Sequence, residues 1–139
     1  MIIDKIRDFI SVCPLLDEFA KLNVDFLGPN ATEYTIDSIP TDSILKQYVD
    51  GGKLKQYVFV FGSREFYGPD VLQNIENSGF YEKFSEWLDT KTELGELPLL
   101  EGNKESDSIE AMSSGYLFGS TEDTARYQIQ CRLIYYEDK

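Results

Sequence analysis

Apolar and polar residues alternate most regularly near the end of the chain, in RYQIQCRLIYYED, residues 126–138. Successive side chains of a strand point to opposite faces, so this period of two predicts a strand with one buried and one polar face. The buried face would hold Tyr127, Ile129, Cys131, Leu133 and Tyr135, and the polar face would hold Arg126, Gln128, Gln130 and Arg132.

Two segments carry apolar residues at helical spacing. The first extends from residue 2 to about 12, with Ile2, Ile6, Phe9 and Ile10 on one stripe. Proline clashes inside a helix but is tolerated in a first turn, so Pro14 either breaks this helix or begins a new turn of it. The apolar stripe then continues through Leu15, Leu16, Phe19, Ala20 and Leu22.

The second helical segment follows Asp70, which can cap a helix, and extends to about residue 90. Gly79 has a low helix propensity and lies in the middle of this segment. The segment therefore forms either one helix or two helical pieces joined near 77–79. The polar stretch 91–108 contains two glycines and a proline and predicts a loop. The apolar stripe of this second helical segment comprises Leu72, Ile75, Phe80, Phe84, Trp87 and Leu88.

Three further strand signals complete the pattern. Residues 32–40, TEYTIDSIP, alternate in polarity and end at Pro40, and residues 109–119 predict one or two short strands before a turn at STED. Residues 43–61 contain two β-prone runs around Asp50-Gly51-Gly52, the clearest hairpin signal in the chain. Its five consecutive apolar residues, 57–61, indicate a strand covered on both faces, by helices or by another subunit.

The order of these elements predicts an α+β fold in one domain, residues 1–139, with two main helices packed on a mostly antiparallel sheet. The charge of the chain limits the classes of partner that it is expected to bind. The 25 acidic and 13 basic residues give a net charge of −12, and no three basic residues are adjacent. Affinity for nucleic acid rests on clustered lysine and arginine, so neither nucleic acid nor an anionic membrane is an expected partner. The N-terminus lacks a signal-peptide pattern and no segment approaches a membrane span, which favours a reducing cytoplasm.

No set of residues predicts catalysis. The chain has no histidine, the usual general base and metal ligand, so Ser63 in GSREF has no evident base. Cys13 and Cys131 have apolar neighbours and are expected to be buried small hydrophobes. We therefore predict no enzyme, no metal and no cofactor. Three acidic residues at helical spacing are expected to form a solvated helix face: Glu82, Glu86 and Asp89.

The predicted strands instead suggest a subunit interface. Arg64 and Glu65 follow the apolar run at the point where we expect the strand to extend past its helices. The polar positions of the closing strand have two explanations: a sheet face in water or, together with Arg64, partners for acidic groups of the next subunit. The candidate interface residues are Arg64, Glu65, Arg126, Gln128, Gln130 and Arg132.

Four stretches resemble minor capsid or tail-completion proteins of phages and prophages of Gram-positive bacteria, which are similar to tail terminators. They are YVDGGKLKQYVFVFGSREFYGPD, NIENSGFYEKFSEWL, GELPLL and SSGYLFGSTEDTARYQIQCRLIYY. The resemblance implies a ring, often hexameric, at the head-proximal end of a tail tube, with the tube protein and a head-completion protein as partners. It implies assembly in the bacterial host cytoplasm, followed by incorporation into a phage or tail-like particle. The acidity would let DNA pass through the ring without adhering.

A second hypothesis comes from another functional class. A small acidic adaptor or anti-host factor, monomeric or dimeric, would bind one protein partner in the cytosol. Gene neighbourhood separates the two, because tail-tube and sheath genes directly downstream favour the ring.

Overall fold

The computed structural model describes residues 1–16, 22–25, 27, 33–68, 71–121 and 123–139, without the side chains of 71–75. Within these residues the chain forms two helices and seven strands. The helices are α1 (Ile2–Ser11) and α2 (Val71–Leu94). The strands are β1 (Leu22–Val24), β2 (Glu33–Ser38), β3 (Ile44–Gln47), β4 (Lys53–Phe66), β5 (Lys104–Ala111), β6 (Tyr116–Ser120) and β7 (Thr124–Glu137).

The sheet is built around two strands of 14 residues, β4 and β7. They pair antiparallel along their whole length, from Lys53 opposite Glu137 to Phe66 opposite Thr124. On the outer side of β4, β3 pairs with its first residues and β2 with its later ones, and β1 adds parallel to β2. On the outer side of β7, β5 and β6 pair with its two halves. The predicted α+β fold with a mostly antiparallel sheet is confirmed.

One face of the sheet forms the core together with both helices. Phe61 is fully buried, and its ring stacks on Phe84 of α2 with centroids 4.4 Å apart. The predicted apolar face of the closing strand is also buried, with Ile129, Cys131 and Leu133 inaccessible to solvent. Ile3, Ile6 and Ile10 of α1 and Tyr81, Phe84 and Leu88 of α2 belong to this same cluster.

The first helix ends before Pro14, at Ser11. The prediction that its stripe continues to Leu22 is wrong at Leu22, which begins β1 beside Tyr34 and is buried as a strand residue. An apolar residue fits either element, and here pairing with β2 decides. Several predicted features lie outside the described residues: the stripe at Phe19 and Ala20, the Asp70 cap, and the side chains of Leu72 and Ile75.

The second helix is one unbroken element that passes through Gly79 and ends at Leu94. Burial of Tyr81, Phe84 and Leu88 outweighs the cost of about 1 kcal/mol for a glycine inside a helix. The predicted loop 91–108 is therefore too long, because its first residues are helical and β5 begins at Lys104. The two short strands predicted within 109–119 are the end of β5 and β6, but the polar residues 104–108 of β5 give no strand signal. Their backbone completes the ladder on β7, which overrides propensity.

The hairpin predicted at Asp50-Gly51-Gly52 joins β3 to β4. The φ of Gly51 is +95°, a conformation that residues with a Cβ rarely adopt, and the turn closes through the Tyr48 amide, which donates to the Gly52 carbonyl at 2.8 Å. The residues of the apolar run beyond it alternate between faces. Phe59 and Phe61 enter the core, whereas Val58 and Val60 are buried outside it.

The expected cover of this run by helices on both faces is therefore wrong, whereas cover of one face by another subunit stays a prediction. The described helices cover only the face that holds Phe59 and Phe61. On the other face Val58 and Val60 are only 7% and 6% exposed, and their register partners on β7 are Arg132 and Gln130.

Truncating Leu133 to alanine should lower the free energy of unfolding by about 2–5 kcal/mol, the usual cost of removing a fully buried leucine side chain. The matched control is Val49→Ala in the hairpin, where the side chain is fully exposed and little should change. Urea denaturation followed by circular dichroism measures both. A Leu133→Ala variant as stable as the control would mean that the core is not where the fold places it.

Candidate functional site

The candidate interface residues divide between the two faces of the sheet. Arg64, Arg126, Gln128, Gln130 and Arg132 share the face opposite the helices, here called the polar face. Glu65 pairs in register with the buried Ala125 and so points to the core side of the sheet edge. Four of the six residues follow one another along β7, over about 20 Å from Arg126 to Arg132.

Arg126 is the centre of a network on the polar face. Its Nη2 donates to Asp37 Oδ2 on β2 at 2.7 Å, and its Nε donates to Gln128 Oε1 at 3.0 Å. Thr35, fully buried, donates to the other oxygen of Asp37 at 2.8 Å. Arg126 is 20% exposed and Asp37 is 26% exposed, so the ion pair is partly shielded from water. Such charge-assisted hydrogen bonds join strands 89 residues apart in sequence.

Space for the Arg126 guanidinium comes from Gly62 of β4. A Cβ at this position would lie 3.2 Å from Arg126 Nη2 and 3.4 Å from a Thr35 methyl group, tighter than ordinary contacts. The Phe118 ring of β6 lies over the guanidinium at 5.3 Å, within the range of a cation–π contact. Gln128 in turn donates to the Tyr116 hydroxyl at 2.6 Å, which ties β6 to the same network.

Arg132 forms a second network six residues along the strand. Its Nε donates to Glu110 Oε1 of β5 at 2.6 Å, and its Nη1 donates to Gln56 Oε1 of β4 at 3.2 Å. The side chain thus crosses three adjacent strands. Glu110 is 41% exposed, so this pair is the more solvated of the two and contributes less to stability.

These two networks give Arg126 and Arg132 partners that differ from the predicted ones. The sequence suggested acidic groups of a neighbouring subunit as the partners of Arg126 and Arg132, whereas each has a carboxylate of its own chain at 2.6–2.7 Å. Their first role is therefore to fasten β2, β4, β5 and β7 together. An additional role of these residues in an interface stays a prediction.

Ser63, in the apolar stretch before Arg64, has a structural role. It is fully buried, and its Oγ lies 2.5 Å from the hydroxyl of Tyr81 on α2. Tyr81 donates in turn to the Tyr127 carbonyl oxygen at 2.9 Å. Burial raises the pKa of the Tyr81 phenol, so it remains protonated and able to donate. The three groups connect α2 to both long strands inside the core.

Other groups with chemical potential are dispersed. Glu82, Glu86 and Asp89 are exposed on α2, as expected for a solvated helix face. Cys13 and Cys131 are buried, and burial raises the pKa of both thiols. Within the described residues, no three acidic, cysteine or histidine side chains are grouped as metal ligands would be, and no helix is long and apolar enough to span a membrane.

No family model matches the chain, and no curated protein matches it. The site must therefore be judged on its own geometry. That geometry is an extended surface on which Arg126 and Arg132 are already paired with carboxylates of the same chain.

The sequence did not predict the side chains that pair with the two arginines of this surface. Asp37, Glu110 and Gln56 come from three different strands, and only the register of the sheet brings them to the arginines. Alternation along residues 32–40 placed Asp37 on a polar face, which is the one signal that pointed to it. The missed apolar residues are those left exposed on β6 and on the hairpin: Tyr116, Leu117, Phe118, Ile44, Leu45 and Val49.

Reversing the charge of Arg132 should destabilise the folded chain, because Arg132→Glu places a carboxylate against Glu110. We expect a loss of about 1 kcal/mol for this partly exposed pair, and recovery of most of it in the double variant Arg132→Glu/Glu110→Arg. Thermal melts of the four proteins of this cycle measure the coupling.

The double variant also separates the two roles of Arg132. If the swap restores stability and the assembled state together, the pair acts within the chain. If it restores stability but not assembly, Arg132 also contacts another subunit. Coupling close to zero would contradict the intrachain role.

Proposed function

We propose that this chain is a structural subunit of a phage or phage-tail-like particle, which forms an oligomeric ring on the head-proximal end of the tail tube. The ring would end tube growth and present a surface to the head-completion protein. The site supports an assembly role, because its charged residues hold neighbouring strands to one another in a broad ordered surface.

The observation that carries the proposal is the asymmetry of the sheet. The helices cover one face, and the opposite face spans the long β4–β7 pair with its balanced charges. A broad, ordered, half-polar surface that includes arginine and tyrosine is typical of the surfaces through which subunits associate. The sequence resemblance to tail-completion proteins is a separate argument for the same role.

The charge of the chain is also compatible with a ring around DNA. A net charge of −12 repels the phosphate backbone, so a duplex that enters the lumen would not be held there. Self-repulsion between copies of such a chain must be offset by local contacts of opposite charge.

The adaptor hypothesis stays open beside this proposal. An acidic monomer that binds one host protein could use the same exposed apolar residues of β6. The two functions differ in what the purified particle contains, because an adaptor is absent from it.

Deleting the gene should leave tail-tube subunits able to polymerise, but the tails should vary in length or lack heads, because nothing stops the tube or joins it to the head. Electron microscopy of particles from the deletion strain measures tail length and head attachment. Expression of the wild-type chain from a plasmid is the control and should restore uniform particles. Normal, complete particles without the chain would refute the proposed function.

A further inference from the structure

The two outer edges of the sheet are unlike each other. At one edge the β3–β4 hairpin (residues 44–56) carries three exposed apolar side chains, Ile44, Leu45 and Val49. At the opposite edge β6 exposes Tyr116, Leu117 and Phe118, the last at 64%. Among the described residues, β3 pairs only with β4 and β6 only with β7, so one side of each backbone has no strand beside it.

These two edges lie at opposite ends of the long strands. The hairpin strand β3 pairs with the beginning of β4, at Lys53–Lys55, whereas β6 pairs with the beginning of β7, at Ala125–Gln128. Because β4 and β7 are antiparallel, these two beginnings are at opposite ends of the sheet. A molecule with two different unpaired edges, diagonally placed, suits contact from one copy to the next in a head-to-tail manner.

The charges of the two edges are complementary. The hairpin, residues 44–56, has three lysines and one aspartate, a net charge of +2 in a chain whose total is −12. At the opposite edge, residues 116–123, which begin with β6, have two acidic residues and no basic one, a net charge of −2. Two hairpins facing each other would oppose like charges, and so would two β6 edges. Opposite charges come together when the hairpin of one copy faces β6 of another copy.

From this placement we propose that the β3–β4 hairpin of one copy docks along β6 of a second copy, so that β3 extends the sheet of its neighbour. Leu45 and Phe118 become buried in this contact. Because the Phe118 ring lies over the Arg126 guanidinium, the contact extends to the polar face. Exposed edge strands with apolar side chains readily pair with another strand. The same contact repeated from copy to copy closes a ring or grows as a filament.

This inference rests on the proposed ring and names the surface that builds it. It also explains why the exposed apolar residues of the hairpin and of β6 are retained at sheet edges, where an isolated subunit would gain solubility from charged ones. The partner is a second copy of this chain, chosen by the opposite charges of the two edges.

Cysteine cross-linking of the full-length chain tests the contact. The double variant Leu45→Cys/Leu117→Cys carries one thiol on each edge, at side chains that are 42% and 44% exposed. The native Cys13 and Cys131 are buried and their thiol pKa values are raised, so they react slowly with a bifunctional maleimide. We expect the double variant to form a ladder of covalent dimers, trimers and larger species, and circular dichroism to show an unchanged fold.

The single variants give the direction of the contact. Leu45→Cys alone and Leu117→Cys alone should stay monomeric on denaturing gels, whereas their mixture should give dimers and nothing larger. The matched control is Val12→Cys/Leu99→Cys, with 71% and 86% exposed side chains away from both edges, and it should not cross-link. A covalent dimer of either single variant would overturn the head-to-tail contact in favour of a two-fold one.

Sedimentation of the unmodified chain separates failure of this inference from failure of the proposed function. Oligomers that sediment together but do not cross-link through Leu45→Cys and Leu117→Cys place the interface elsewhere and overturn the inference, while the ring stands. A monomer at every concentration, without cross-links, overturns the contact as well. The deletion phenotype then decides the proposed function independently.

Discussion

The antiparallel ladder between β4 and β7 is the interaction on which the rest of the structure depends. Fourteen residue pairs, from Lys53–Glu137 to Phe66–Thr124, give the sheet two strands more than twice the usual length of about 5–6 residues. One side of this ladder carries Phe59, Phe61, Ile129 and Leu133 into the core, and both helices pack there. Every other strand except β1 pairs directly with one of these two. A slip of one residue would turn all the core side chains to the polar face, so burial fixes the register strongly.

The same register creates the polar face. Because Gly62 lies opposite Thr35 on one side and Gln128 on the other, the guanidinium of Arg126 can cross β4 and reach Asp37. Arg132 reaches Glu110 and Gln56 in the same way. The arginines therefore join strands of their own chain, and the surface offered to other molecules is already balanced in charge there. Net charges of opposite sign lie at the sheet edges, where the hairpin is basic and residues 116–123, which begin with β6, are acidic.

The sequence predicted the elements whose pattern is local. Both faces of the closing strand, the turn at Gly51 and the existence of the two helices follow from periodicity and turn chemistry, and the structure confirms them. It could not predict residues 104–108 of β5, whose polar side chains join a strand only by pairing with β7, nor Leu22, whose place is decided by β2. The partners of Arg126 and Arg132 were also beyond reach, because they depend on register between strands far apart in the chain. Arg64 and Glu65 are adjacent on β4, so their side chains lie on opposite faces of the sheet.

The central claim is that the chain occupies one end of a tail as an assembled ring. The most direct measurement is cryo-electron microscopy of purified particles that carry a tag after Lys139, the exposed last residue. The account predicts tagged density as a closed ring at the head-proximal end of the tube and nowhere along it. Particles that contain no tagged chain, as an adaptor would leave them, or that carry it along the tube length would contradict the claim.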